Sequence, residues 1–306
     1  MIRKLVVYSF CLFLFTGTVV AKSPEEIQQL RINAEQGNAK AQSNLGWMYE
    51  CGESVPKNYA EAEKWYRLAA VQGSEQGQVS LGAMYYFGNG VAQDYAEAEK
   101  WYRLAAAQGS TWAQYSLGVM YEKGLRVGQN YAENIKLGTN KGNVADQIES
   151  MITHASSEGF SPDYAEAVKW YRLAAEQGYA HAQYSLGLMY HNGNGVSQDY
   201  AEAIKWYRLA AEQGDTWAQS NLGVCYANGQ GVRQSYVESI KWYQLAARQG
   251  EATAQYNLGL AYENGRGVKQ NRAVAKEWFG KACDNGFQDG CDAYRRLNET
   301  TKRRSQ

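Results

Sequence analysis

The side chains most able to do chemistry in this chain are three histidines, five cysteines, and carboxylates set in a recurring sixteen-residue phrase. "DYAEAEKWYRLAAAQG" stands at Asp94–Gly109 and "DYAEAIKWYRLAAEQG" at Asp199–Gly214. A metal centre needs several His, Cys or carboxylate donors on converging faces. His154, His181 and His191 do not supply them: His181 and His191 are ten residues apart, off the i, i+4 spacing of one helical face, and neither Cys-x-x-Cys nor His-Glu-x-x-His occurs. An acyl-transfer enzyme of the penicillin-recognising type would carry Ser-x-x-Lys, and no serine here has a lysine three residues on. The Gly-x-Gly pairs at 88–90, 193–195, 229–231 and 265–267 invite a phosphate-loop reading, but none continues to the third glycine of G-x-G-x-x-G, and each follows a helical pattern instead of a strand. No catalytic, metal-binding or cofactor-binding residue is assigned, and no cofactor is expected.

The composition narrows the classes further. With 31 basic and 31 acidic side chains the net charge is zero, which gives no electrostatic case for nucleic acid or an anionic membrane. Nine Trp and 24 Tyr are too many for a disordered chain. Thirty-one Gly beside three Pro suit helices punctuated by glycine turns. The C-terminal "RRLNETTKRRSQ", Arg295–Gln306, is basic and polar and reads as a solvated cap and tail.

"MIRKLVVYSFCLFLFTGTVVAKS" has a basic start at Arg3 and Lys4, an apolar run from Leu5 to Phe15, and small residues Val19 and Ala21 at the −3 and −1 positions. This predicts a signal peptide over residues 1–21, cleaved after Ala21. The run is too short for a transmembrane span, and no cysteine follows the cleavage point for lipidation. The mature chain is expected to be periplasmic or secreted and not an integral membrane protein. Disulfides can form there. Cys283 and Cys291 flank turn residues in "CDNGFQDGC" and are the expected pair, whereas Cys51 and Cys225 are expected to be free, buried thiols.

The elements that position these residues repeat. Trp65 and Trp101 are 36 apart, and Trp170, Trp206, Trp242 and Trp278 follow at steps of 36, with 69 between Trp101 and Trp170. "AQSNLGWMY", "GQVSLGAMY", "AQYSLGVMY", "AQYSLGLMY", "AQSNLGVCY" and "AQYNLGLAY", beginning at 41, 77, 113, 182, 218 and 254, show the same steps. Each unit predicts two helices. In the first, Ala113, Leu117, Met120 and Tyr121 form a stripe that stops at a glycine. In the second, Ala98, Trp101, Tyr102 and Ala105 form a stripe that starts at a capping-box spacing, Asp94–Glu97, Asp163–Glu166, Asp199–Glu202, Asn58–Glu61, Asn130–Glu133 or Ser235–Glu238. The glycine after each Leu, as at Gly118, predicts close approach of a neighbouring helix. One such hairpin cannot bury its apolar face, but a stack can.

"AQYSLGLMYHNGNGVSQDYAEAIKWYRLAAEQG", Ala182–Gly214, resembles a Sel1-like repeat, a relative of the tetratricopeptide repeat, and the likeness runs roughly from Ile27 to Leu297. The resemblance implies an all-α, right-handed α/α superhelical solenoid over residues 22–297, followed by a polar tail at 298–306. It implies a scaffold or adaptor, often of the bacterial envelope. "KACDNGFQDGCDAY", Lys281–Tyr294, is similar to cysteine-bearing versions of the repeat in which a disulfide ties adjacent helices, some of them associated with β-lactam binding or hydrolysis. The pattern breaks after "NYAENIK", Asn130–Lys136, and resumes at Asp163, so residues 137–162 are a degenerate or interrupted repeat, either a functional break or a decayed unit.

In such scaffolds the variable positions are free to bind. One reads Lys40, Gln76, Trp112, His181, Trp217, Thr253; a second reads Glu50, Tyr86, Glu122, His191, Ala227, Glu263. Trp112, Trp217, His181, Tyr86 and His191 are the candidate contacts for a protein or peptide partner, the two extra tryptophans as anchors. Trp47 stands where other units carry Ala83, Val119, Leu188, Val224 and Leu260 and is expected in the core. The function expected is a non-enzymatic scaffold in the cell envelope, without nucleic-acid binding. The rival expectations are a β-lactam-binding or hydrolysing enzyme and an assembly factor for an envelope or exopolysaccharide complex.

Overall fold

The computed structural model describes residues 23–125 and 161–304, with side chains as far as residue 299. The signal segment, Cys11, Asn130, His154 and most of the interrupted repeat at 137–162 lie outside the described residues. All fourteen described elements are α-helices. They fall into two compact units divided after Asp163. The first holds α1 (Pro24–Glu35), α2 (Ala39–Cys51), α3 (Tyr59–Val71), α4 (Glu75–Phe87), α5 (Tyr95–Ala107) and α6 (Thr111–Glu122). The second holds α7 (Tyr164–Glu176), α8 (Ala180–Asn192), α9 (Tyr200–Glu212), α10 (Thr216–Asn228), α11 (Tyr236–Arg248), α12 (Ala252–Asn264), α13 (Arg272–Asp284) and α14 (Gln288–Arg304). Within each unit every helix packs on the next in sequence, and successive first helices also touch, α2 with α4 and α10 with α12. The all-α solenoid expected from the period is what the chain forms.

The second helices start where the caps place them. Asp94 accepts from the amides of Ala96 and Glu97, and Asp199 from those of Ala201 and Glu202. The reciprocal half of the capping box is absent there. Glu97 instead accepts from the indole N–H of Trp101 at 3.1 Å, and Glu61 from that of Trp65 at 3.1 Å. An indole N–H buried without a partner costs more than a cap amide that water can reach, so at these two boxes the carboxylate turns inward, whereas Glu202 accepts from Lys205 at 2.6 Å and the Trp206 indole N–H has no partner. The complete box forms at Ser23–Glu26, ahead of α1, where no tryptophan competes.

The glycine pairs are turns. Gly88, Gly193, Gly229 and Gly265 end their helices in the left-handed conformation. The second glycine is excluded from substitution by packing as well: a Cβ on Gly267, at φ 72°, would lie 2.7 Å from the backbone carbon of Tyr236, at the start of the preceding second helix. The glutamine that ends each turn, Gln93, Gln198, Gln234 or Gln270, donates back to a carbonyl of the helix it leaves. No phosphate cradle is formed.

The turn closes with one backbone bond, Asn58 to the Tyr49 carbonyl, Asp94 to Tyr85, Asp199 to Tyr190, Ser235 to Tyr226 and Asn271 to Tyr262. Asp163 makes the same bond to Tyr121, at 2.9 Å. Nine residues of sequence separate the partners elsewhere and forty-two do here. Thirty-three more residues therefore separate these two partners than separate the others.

In each unit the core runs along its own column of rings. Tyr66, Tyr102, Tyr171, Tyr207 and Phe279 are fully buried and Tyr243 nearly so. Gly46, Gly82, Gly187, Gly223 and Gly259 face Tyr66, Tyr102, Tyr207, Tyr243 and Phe279 in turn, each so close that a Cβ would enter the ring. The periodic tryptophans lie beside these columns: Trp65 and Trp101 are buried, and Trp170, Trp206, Trp242 and Trp278 half-buried. Trp47 is buried against Met48, Tyr66 and Met84, as expected.

A second buried row is polar. Gln42, Gln78, Gln183, Gln219 and Gln255 each donate to the carbonyl of an alanine eight residues back, at the end of the preceding helix, Ala34, Ala70, Ala175, Ala211 and Ala247. Each also accepts from the side chain at the end of its own hairpin, Gln72, Gln108, Gln213, Gln249 and Asn285. Each alanine carbonyl also accepts the amide of the glycine three residues on, as Ala70 does from Gly73 and Ala211 from Gly214, so the glutamines add a second bond at buried helix ends, and they fix three successive helices at once.

Sγ of Cys283 and Sγ of Cys291 are 1.98 Å apart, a disulfide-bonding distance between α13 and α14. Cys225 is a free, fully buried thiol, as expected. Cys51 is not the buried free thiol expected: it sits half-buried at the end of α2 and is disulfide-bonded. The final helix continues past Leu297 to Arg304, in a stretch with neither Gly nor Pro to stop it.

Candidate interaction surface

The first variable position is the second residue of each first helix, at an end that Asn38, Ser74, Asp215 or Glu251 caps. None of its occupants among the described residues is buried. Trp217 is the most open large ring, with 58% of its surface exposed. It leans over Tyr184, ring centroids 6.0 Å apart and planes at 33°, and Tyr184 in turn lies 6.0 Å from the buried Tyr207. A rigid ring supported from below by two others gives contact area at little entropic cost. Trp112, by contrast, is half-buried and packs edge-on against Tyr102 at 5.5 Å.

His181 meets the same helix end as Trp217. Its Nδ1 lies 3.0 Å from Asp215 Oδ2, while the other oxygen of that carboxylate accepts from the Ala218 amide. Asp215 is thereby shared between capping α10 and tethering α8 to it. His181, Tyr184 and Trp217 thus converge on one step of the second unit, a polar donor beside an aromatic ledge.

The second variable position faces protein more than solvent, and its occupants among the described residues are buried or half-buried. Glu50 is buried and accepts from the Tyr66 hydroxyl at 2.8 Å; burial holds its carboxyl above the usual range, and the nearby charge of Lys57 opposes the shift. Tyr86 packs edge-on against Phe87 at 4.8 Å and Tyr95 at 5.6 Å, and burial pushes its phenol up to about 12. His191 packs edge-on against Tyr200 at 5.0 Å and lies 4.0 Å from Cys225 Sγ. Glu263 takes two bonds from Arg296, at 2.7 and 2.8 Å.

For catalysis the arrangement supplies little. Burial pushes the Cys225 thiol up to about 11 and lowers His191, both against a thiolate–imidazolium pair. Ser220 donates to Glu251, within the cap of the next first helix. Among the described residues no three His, Cys, Asp or Glu side chains gather as a metal site, and no helix is long and apolar enough to cross a membrane.

The glutamine row was the main omission of sequence reasoning. The Ala-Gln pair, Gly-Gln at Gly77–Gln78, was visible at every repeat, but only as a marker of period. Its signal was a polar residue held at fixed spacing on an otherwise apolar stripe.

The Sel1 repeat family model matches residues 39–74, 76–110, 113–133, 154–179, 180–215, 218–251 and 252–287. The two short matches lie at the interruption, 113–133 before it and 154–179 beginning within it. Among solved structures, a Sel1 repeat protein from Oxalobacter formigenes is similar at 30% identity over 92% of this chain and 96% of that one, with a TM-score of 0.66. A protective antigen present in uropathogenic Escherichia coli strains is similar at 32% identity over 94% of this chain and 62% of that one, with a TM-score of 0.48. Cysteine rich protein B of Helicobacter pylori is similar at 26% identity over 43% of this chain and 94% of that one, with a TM-score of 0.35. No curated protein matches. The chain belongs to the Sel1 repeat family, through matches that cover most of its length and a repeat geometry shared with a solved member.

Proposed function

We propose that this protein is a non-enzymatic scaffold of the cell envelope that binds a protein or peptide through the variable edge of its second unit. Sel1 repeat proteins generally mediate protein–protein interactions. The observation that carries the reading is Trp217, an indole left 58% exposed on a ledge of two tyrosines in a chain that otherwise buries or half-buries its tryptophans among the described residues. His181, oriented by Asp215, gives the ledge a polar neighbour for a backbone or acidic group of the partner. The expected signal peptide supports an envelope or secreted location.

The experiment is capture of partners from the native envelope with the full chain and with Trp217→Ala. A partner retained by the native chain and lost with the variant, at unchanged helix content, supports the proposal; retention by both removes Trp217 from it. A chromogenic cephalosporin assay addresses the enzyme alternative, because turnover abolished by a single substitution would replace the scaffold reading.

A further inference from the structure

His191 and Cys225 meet across a hairpin boundary, from α8 and α10, and this pairing occurs at one boundary among those described. The position of His191 holds Glu50, Tyr86, Glu122, Ala227 or Glu263 in other repeats, and that of Cys225 holds Met48, Met84, Met120, Met189 or Ala261. Nδ1 of His191 and Sγ of Cys225 are 4.0 Å apart. A metal–sulfur bond of about 2.3 Å and a metal–nitrogen bond of about 2.0 Å would set the donors about 3.5 Å apart at a tetrahedral angle and about 4.3 Å apart in line. The observed gap falls between, at an open angle that suits an ion content with two ligands. A third polar atom borders the pair. The ring of Tyr207 lies 6.2 Å from that of His191, and its hydroxyl is fully buried without a hydrogen-bond partner.

We propose that His191 and Cys225 bind one soft monovalent metal ion of the copper(I) or silver(I) kind, with the Tyr207 hydroxyl as a weak neighbour. Thiolate and imidazole are the donors soft ions select. Charge decides the valence. The thiol gives up its proton as the metal–sulfur bond forms, so a monovalent ion, a thiolate and a neutral imidazole sum to zero, whereas a divalent ion leaves a net positive charge in an apolar site. The buried, apolar setting of Cys225 thus favours the neutral metal complex. His191 is half-buried and Cys225 sealed, so the ion enters past the imidazole.

The test is titration of the oxidised full chain with silver nitrate in chloride-free buffer, read by native mass spectrometry and thermal melting. The native chain should take up one silver ion and melt higher with it, and zinc should produce no such shift. Cys225→Ser should take up none, and His191→Ala, which keeps the thiol, should bind at least tenfold more weakly. Circular dichroism of each variant monitors folding; if Cys225→Ser fails to fold, His191→Ala decides. Silver uptake unchanged in His191→Ala, uptake retained in folded Cys225→Ser, no uptake by the native chain, or a zinc shift larger than that of silver would each overturn the proposal.

Discussion

Gly82 lies flat against the ring of Tyr102: a Cβ placed on it would stand 2.7 Å from both Cδ1 and Cε1 of that ring. Tyr102 is fully buried and cannot swing aside. The contact joins the two helices of one hairpin, α4 and α5, and it recurs at Gly187 with Tyr207 and at Gly259 with Phe279. Alanine normally stabilises a helix interior by about 1 kcal/mol over glycine, but overpacking costs about 1–3 kcal/mol. Packing should win, so Gly82→Ala is expected to lower the urea midpoint. A midpoint raised by the helix propensity of alanine would show that the hairpin has slack at this contact.

Gln219 holds the Ala211 carbonyl and receives Gln249. Gln219→Leu keeps most of the volume and removes one bond to the Ala211 carbonyl, which keeps the Gly214 amide, and one from Gln249, which keeps the Gly214 carbonyl, at a net cost of about 0.5–1.5 kcal/mol each. Chemical denaturation should show a loss of that order. A loss under about 0.5 kcal/mol, within the range of ordinary surface substitutions, would reduce the glutamine row to a bystander.

The period, the caps and the glycine turns were legible in the sequence because each rests on local geometry: Asp94 needs only its own next turn, and Gly88 only its own φ. What was hidden depends on neighbours in space. Glu97 has the spacing of a capping box, and only the position of Trp101 shows why its carboxylate turns away. Glu50 reads as a surface residue at a variable position until Tyr66 is found above it. Trp112 and Trp217 share a position and a residue type, but packing against Tyr102 half-buries the first while the second rides above Tyr184. Cys51 gave no sign in sequence of being other than a free thiol.

Glu50 makes stability depend on pH with a definite sign. Its carboxyl is raised above 4.5 by burial, so the folded chain holds this proton more tightly than the unfolded chain does. The contribution is fully present below the unfolded value and is lost as pH rises through the raised folded value. Glu50→Gln should therefore melt above the native protein at pH 8, with the difference shrinking towards pH 4. A variant that melts lower at pH 8 would mean that ionised Glu50 is stabilising through Lys57.

Cys283 and Cys291 should be bonded in the protein under oxidising conditions. A loop of this length is worth about 2–3 kcal/mol on the chain-entropy account, so Cys283→Ser is expected to loosen the packing of α14 on α13. Intact mass after alkylation under denaturing, non-reducing conditions should show Cys225 modified and this pair protected. Modification of Cys283 and Cys291 would contradict the bond.

The binding account rests on one ring. Once a partner has been captured from the envelope, its dissociation constant should be measured for the native chain and for Trp217→Ala, with Leu209→Ala as a control for general loss of exposed apolar surface, since Leu209 is 44% exposed. An anchor of this kind is worth about 2 kcal/mol or more. The account expects at least a tenfold loss for Trp217→Ala and little change for Leu209→Ala. Equal affinity for all three chains would contradict it.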